Sequence, residues 1–263
     1  MAVIFGPSGL GGIKEAVSNL ESYSKLGIKA CEIAFTYGVY IKEEKDIKAI
    51  REAAEKFGIK LSIHAQYWVN LNSAEKEKVE ATKKRIMDCL RVGEKLGCYA
   101  VVVHPGYYGK IDRNLSYDNI KERVLELMEE IKKNKWKIKL CLETMGKVNV
   151  FGTVDEIKRL VKETKCSFCV DFAHLKARSN GKMSYKEMVK EFSEFKDWHC
   201  HFSGIVYGDK GEKHHILTPK SELEELLKEL KNVKNKCDIT IINESPDPVK
   251  DSVLSLRVWK EVG

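Results

Sequence analysis

Glutamine is all but missing from this chain of 263 residues: Gln66 stands alone, while lysine and glutamate abound. That bias resembles the composition of heat-adapted proteins and excludes no activity. No apolar run approaches the ~18 residues of a membrane span. The opening Met1-Ala2-Val3-Ile4-Phe5-Gly6-Pro7 lacks the basic segment of a signal peptide. A soluble, cytoplasmic chain with no membrane partner is expected. No Pro/Gly/Ser-rich linker, low-complexity tract or shift in composition divides the sequence, so a single domain over residues 1–263 is expected. A second CxxC is also missing. Cys166-Ser167-Phe168-Cys169 has the spacing but runs through an apolar strand, and Cys31, Cys98, Cys141 and Cys200 also lie in or beside expected strands. These cysteines are read as buried free thiols, not as a zinc or redox centre. The formal charge of +7 permits an anionic partner such as nucleic acid without demanding one, because lysines alternate with glutamates on the helix faces.

What is present is a strand followed by a helix, repeated. Strands are expected at 3–5, 30–35, 60–63, 99–103, 138–142, 167–170, 198–200 and 239–243. Helices are expected at 13–26, 43–57, 73–96, 116–133, 153–163, 184–195, 219–230 and 250–262, with Ser73, Thr153 and Ser184 as N-caps and Gly27, Gly58 and Gly97 as C-caps. The helices carry apolar residues at spacings of three and four, as in Val124, Leu125, Met128 and Ile131. The strands are short and continuously apolar, as parallel strands buried on both faces are. Eight such units in this length fit an α/β fold of the (β/α)8 TIM-barrel type. A doubly wound open sheet is the other candidate, but it would not aim many strand ends at one point.

The strand ends carry the chemistry. Expected strands run into His64, His104, Glu143, Asp171, His201 and Glu244, and His174 lies one turn beyond Asp171. Asp, Glu and His in these places are hard to explain as packing and are common metal ligands. A long loop after the seventh strand adds Glu212, His214 and His215. Of the seven histidines only His199 falls inside a strand; it is read as facing the helix layer, away from His201, with a structural role. A barrel gathers the C-terminal ends of its strands on one face, so these side chains would converge there. They are too many for one ion of about four ligands and suit two or three, zinc or manganese by their N/O mixture. Clustered ions suit phosphoryl transfer, whereas sugar isomerisation needs fewer ligands. Tyr67, Trp68 and Asn70 follow His64 directly. At a barrel mouth the aromatic pair would either cover the rim or stack on bases.

Taken in order, His64-Ala65-Gln66-Tyr67-Trp68-Val69-Asn70-Leu71, His104-Pro105-Gly106, Glu143-Thr144, Asp171-Phe172-Ala173-His174, His201 with Glu212-Lys213-His214, and Glu244-Ser245-Pro246 resemble the endonuclease IV family of apurinic/apyrimidinic endonucleases over nearly the whole chain. The resemblance implies a TIM barrel with a cluster of three zinc ions, one site open to manganese. It places His64, His104 and Glu143 on the first ion, Glu143, Asp171, His201 and Glu244 on the second, and His174, Glu212 and His214 on the third. Glu143 bridges, and Glu143 and Glu244 are the expected catalytic carboxylates. Tyr67, Trp68 and Asn70 fall where the family meets DNA at the lesion. The implied reaction is hydrolysis of the phosphodiester 5′ to an abasic site in DNA, leaving a 3′-hydroxyl and a 5′-deoxyribose phosphate, by a monomer. The chain departs from the family pattern at Glu212, where aspartate is usual, and at Phe172. His215 is placed to substitute for His214, and the segment Thr36-Tyr37-Gly38-Val39-Tyr40 is short and lacks an arginine. A single-metal sugar isomerase or epimerase using Glu143, Asp171, His201 and Glu244 is the alternative, and a non-catalytic lesion binder is a second.

Overall fold

Short apolar segments rich in Ile, Val, Leu and Cys pair side by side, and lysine- and glutamate-faced helices cover them. The computed structural model describes residues 2–233 and 237–262. In chain order the elements are β1 (Val3–Pro7), α1 (Ile13–Lys25), β2 (Ala30–Ala34), α2 (Glu44–Phe57), β3 (Lys60–His64), α3 (Lys76–Leu96), β4 (Ala100–Val103), α4 (Arg113–Lys133), β5 (Lys139–Glu143), α5 (Val154–Thr164), β6 (Ser167–Asp171), α6 (Phe172–Arg178), α7 (Tyr185–Phe192), β7 (Asp197–Phe202), β8 (Gly204–Gly208), β9 (Gly211–Ile216), α8 (Lys220–Val233), β10 (Asp238–Asn243) and α9 (Pro248–Glu261). Eight strands form one parallel sheet in the order β1-β10-β7-β6-β5-β4-β3-β2. Its two outer strands meet through Lys29 N–H to Phe5 O at 3.1 Å and Gly9 N–H to Glu32 O at 2.7 Å. Gly6 permits that approach, since a Cβ there would overlap the carbonyl of Ala30. The result is a nearly closed TIM barrel.

Local sequence accounts for most boundaries. Thr153 and Ser184 open α5 and α7 with capping boxes completed by Glu156 and Glu187. Gly58 and Gly97 end α2 and α3 in the left-handed region, at φ 63° and 73°. Elsewhere the expectations shift. Helix α4 starts at Arg113, not near Ser116, because the Asp112 carboxylate accepts from Asn114 N–H and Leu115 N–H. Helix α3 starts at Lys76, because the Ser73 hydroxyl is used one turn early, on Glu75 N–H at 3.2 Å. The long loop after β7 is largely the hairpin β8–β9, which packs on the unexpected short helix α6.

The barrel interior is layered by the strand period of two. At the N-terminal ends Lys60, Lys139, Ser167, Asp197 and Asp238 surround a small cavity with Tyr99 and His199. Above them lie Glu32, Ser62, Ala100, Cys141, Cys169, His199 and Thr240, all buried, and the top layer includes His64, Glu143, Asp171 and His201. His199 is therefore inside the barrel, not in the helix layer. Residues two apart on a strand share a face, and His199 Nε2 lies 3.3 Å from His201 Nε2. All eight cysteines are buried free thiols. Among the described residues no helix is long and apolar enough to cross a membrane.

Candidate metal centre

Glu143, at the end of β5, is fully buried and stands at the centre of the donors. Its Oε2 lies 3.0 Å from His104 Nε2 and 3.3 Å from His64 Nε2. Its Oε1 lies 3.1 Å from His174 Nδ1 and 3.4 Å from His201 Nδ1. Among the described residues five donor sets could hold an ion: His64–His104–Glu143, Glu143–Asp171–His201–Glu244 and Asp171–His174–His215 run side by side, and His64–His201–Glu244 and Cys169–His199–His201 overlap them. The first three share carboxylates, first Glu143 and then Asp171. Glu212 borders the third set, its Oε2 3.4 Å from His174 Nε2. Gly146 makes room there: a Cβ would stand 2.8 Å from Glu212 Cβ and 3.0 Å from His174 Cδ2. Arg178 fixes the same loop by donating to the carbonyls of Met145, Lys147 and Val150.

Whether these residues fit metal ions is tested by their unused atoms. Glu143 Oε1, Asp171 Oδ2 and His201 Nδ1 are buried without a hydrogen bond, a rare and costly condition unless something absent from the protein atoms takes their lone pairs. The imidazoles are also held from outside. His64 Nδ1 pairs with Ala65 O at 2.8 Å, His174 Nδ1 with Thr144 O at 3.0 Å and His215 Nδ1 with Ser203 Oγ at 2.6 Å. Each ring is thus anchored through Nδ1, which leaves Nε2 for an ion, the arrangement typical of ligating histidine. The residues fit a cluster of divalent cations.

Without cations the cluster balances its charge with protons. Burial would raise the Glu143 carboxyl, but the charge of His104 and the contacts of His104, His174 and His201 hold it well below the usual range. Burial would lower His64, but its hydrogen bond to Glu143 and that carboxylate's charge push it up to about 9. His174 is raised in the same way by Asp171, Glu143 and Glu212, against its burial. Ligation requires neutral imidazole, so zinc uptake at pH 7 is expected to release protons, with apparent affinity rising as pH approaches 9. Calorimetry in buffers of different ionisation enthalpy measures the release; buffer-independent heats would contradict it. The same shift ties metal-free stability to pH. The His64 contribution is fully present below its unfolded value of 6.5 and is lost as pH rises through about 9.

In the third set the structure places His215, and not His214, beside Asp171 and His174. Both Glu212 and His215 line a cavity of about 280 Å³ at the barrel mouth, whereas His214 is exposed outside it. The cause is a bulge in the hairpin. Tyr207 pairs with Glu212, but Val206 pairs with His214, so Lys213 is an extra residue. That residue reverses the alternation beyond it, which turns His215 inward and His214 out. Asn70 also has a structural part. Its side-chain oxygen accepts from Asn72 N–H at 3.0 Å and Tyr107 N–H at 3.2 Å, so it ties two mouth loops together.

Tyr67 and Trp68 stand at the mouth, about half exposed, with the Tyr67 ring 5.8 Å from that of His104. Burial of its ring side and the charges of Glu244 and Glu143 push the Tyr67 hydroxyl up to about 12. Two partners escaped sequence reasoning. Tyr37 is 84% exposed with its ring 6.0 Å from Trp68, and Tyr107 lines the cavity. Both follow strand ends, which was the available signal. Among the described residues Lys147 is the one lysine or arginine that lines the cavity.

A family model described as xylose isomerase-like TIM barrel matches residues 20–262. The chain belongs to that family. It is 34% identical to an uncharacterized protein of Methanocaldococcus jannaschii, over 99% of this chain and 98% of that one. It is 29% identical to an apurinic-apyrimidinic endonuclease of Caenorhabditis elegans over 57% of this chain, a match that spans only 39% of the worm protein. Among solved structures, endonuclease IV from Thermus thermophilus superposes with a TM-score of 0.75 at 22% identity, covering 98% of both chains. A D-tagatose 3-epimerase-like protein superposes with 0.74 at 24% identity, covering 98% of this chain and 96% of the other. The xylose isomerase-like fold is thus shared by both chemistries, and the donor sets have to separate them.

Proposed function

We propose that this enzyme of the xylose isomerase-like barrel superfamily is a metal-dependent DNA-repair endonuclease that hydrolyses the phosphodiester 5′ to an abasic site. One observation carries the reading: the donors include three adjoining sets that share Glu143 and Asp171. A single-metal epimerase needs only Glu143, Asp171, His201 and Glu244, and it leaves His64, His104, His174, Glu212 and His215 without a purpose. The similarity to apurinic-apyrimidinic endonucleases supports the same choice. Such ions, when bound, lower the pKa of a water and neutralise charge on the oxygens of a phosphate under attack.

The chain's own side chains do the rest. Glu143 joins the first and second sets, and Asp171 joins the second and third. Glu244 faces His201 across the second set, with Oε1 3.4 Å from Nδ1, and is the second catalytic carboxylate in this reading. Lys147, at the cavity wall, offers a cation to the phosphate backbone. Tyr67, Trp68, Tyr37 and Tyr107 present ring faces to bases beside the lesion. The products are a 3′-hydroxyl and a 5′-deoxyribose phosphate.

The number of tightly held ions tests this reading. Elemental analysis of purified protein after removal of loose metal should find about three zinc or manganese ions per chain, given about four donors per ion. About one ion per chain would overturn the endonuclease reading in favour of the epimerase.

Salt dependence offers a separate check. The helix surfaces are largely self-neutralised by pairs such as Lys25–Glu21, Lys48–Glu52 and Arg51–Glu55. Binding should therefore rest on the mouth, and log affinity against log salt should be shallow. A slope near ~10, as for a repressor, would show that a basic tract elsewhere carries the DNA.

A further inference from the structure

Beneath the donor sets lies a buried carboxylate to which the proposed reaction assigns no part. Glu32, on β2, has no exposed surface. A carboxylate in a barrel interior is strongly destabilising unless it is partnered, and Glu32 has a polar side chain against each of its oxygens. Its Oε2 accepts from Ser62 Oγ at 2.8 Å, from the residue directly opposite on β3, and lies 2.9 Å from His199 Nε2. Its Oε1 makes no hydrogen bond but lies 2.9 Å from His201 Nε2, within ion-pair distance. His199 is steadied in turn through Nδ1 by the Tyr99 hydroxyl.

We propose that Glu32 is a positioning residue that holds His201 in the orientation needed to bind the ion shared with Glu143, Asp171 and Glu244. The inference rests on the metal-dependent reading above. The His201 ring is sandwiched along its length. Nε2 meets Glu32 below, and Nδ1, with no hydrogen bond, faces Glu143 and Glu244 at 3.4 Å and Asp171 at 4.0 Å above. The other anchored histidines lean on neutral groups, the carbonyls of Ala65 and Thr144 and the hydroxyl of Ser203. His201 instead has Glu32, a carboxylate outside the donor sets, behind its Nε2, and presents Nδ1 to the donors. An outer carboxylate fixes the tautomer and ring angle and makes the imidazole a stronger donor. This gives a reason for keeping an ionisable residue in the middle of an apolar strand.

A different use is available to the same atoms. Cys169, His199 and His201 are close enough to hold an ion of their own. The contacts count against it, because Glu32 stands against both Nε2 atoms, hydrogen-bonded to that of His199 and 2.9 Å from that of His201.

The test is zinc affinity by chelator competition, with the visible spectrum of the cobalt-loaded protein as a second readout, on wild type, Glu32→Gln, Ser62→Ala and Cys169→Ala. Glu32→Gln should weaken one ion per chain by roughly 10- to 100-fold, shift the cobalt bands and shrink the zinc-induced rise in melting temperature. Ser62→Ala should weaken the same ion by a smaller factor, and Cys169→Ala should leave every ion in place. A purely structural Glu32 would lower metal-free melting temperature but leave affinity and cobalt spectrum unchanged, which overturns the inference. If Glu32→Gln does not fold, unchanged zinc affinity in Ser62→Ala overturns it. Loss of an ion in Cys169→Ala would make Glu32 part of a separate site and also overturn it. Wild-type protein that binds neither zinc nor cobalt would remove the metal-dependent reading itself and this inference with it.

Discussion

Glu143→Gln leaves the barrel folded and lowers abasic-site cleavage by at least ~100-fold, because a carboxylate shared by two ions neutralises both and sets their spacing. The isosteric amide keeps the volume of a fully buried side chain, so little packing is lost. It keeps one oxygen, but Glu143 uses both: Oε2 faces His64 and His104, and Oε1 faces His174 and His201. The amide also removes the charge that pushes His64 up to about 9. Metal-free variant should therefore titrate His64 at a lower pH, which NMR can follow as a check that the site was altered as intended. Cleavage within a few-fold of wild type would reject the role of Glu143. It would also revive the idea that the protein only binds lesions, since a binder tolerates loss of a bridging ligand far better than a nuclease does.

The double variant Tyr67→Ala with Trp68→Ala should lose affinity for abasic duplex while keeping its fold. Both rings are about half exposed at the mouth, so their removal leaves no large internal void. Aromatic–base stacking is worth about 1–3 kcal/mol per contact, or roughly 5- to 150-fold each. The loss should shrink on a substrate already unpaired opposite the lesion, where less unstacking is required. Tyr37, whose ring centroid lies 6.0 Å from that of Trp68, gives a graded version: Tyr37→Ala alone should weaken binding by less than the double variant. Unchanged affinity with a lowered melting temperature would return Tyr67 and Trp68 to a packing role.

Much of the barrel was legible because each unit announces itself locally. Glycine closes α2 and α3, and Thr153 and Ser184 open α5 and α7, through interactions within four residues. The convergence of His64, His104, Glu143, Asp171, His201 and Glu244 followed from topology alone, since a barrel collects strand ends on one face. What escaped depended on contacts across the chain or on counting along a strand. Asp171 was legible as a candidate ligand, but not as the N-cap that starts α6 by accepting from His174 N–H at 2.6 Å. Helix α6 and the hairpin β8–β9 support each other, and neither carries a strong pattern alone. The Lys213 bulge that turns His215 inward has no local signature. His199 needed only the strand period: it shares a face with His201. Glu32 had one signal, a charged residue inside Ala30-Cys31-Glu32-Ile33-Ala34, but its partners lie on β3 and β7.

The most direct measurement is incubation of zinc-loaded protein with a duplex carrying a single abasic site, followed by identification of both new ends. The account predicts one nick, 5′ to the site, with a 3′-hydroxyl that a polymerase extends and a 5′-deoxyribose phosphate, and loss of the nick on chelation. An intact duplex, while the same preparation interconverts ketoses at carbon 3, would contradict it.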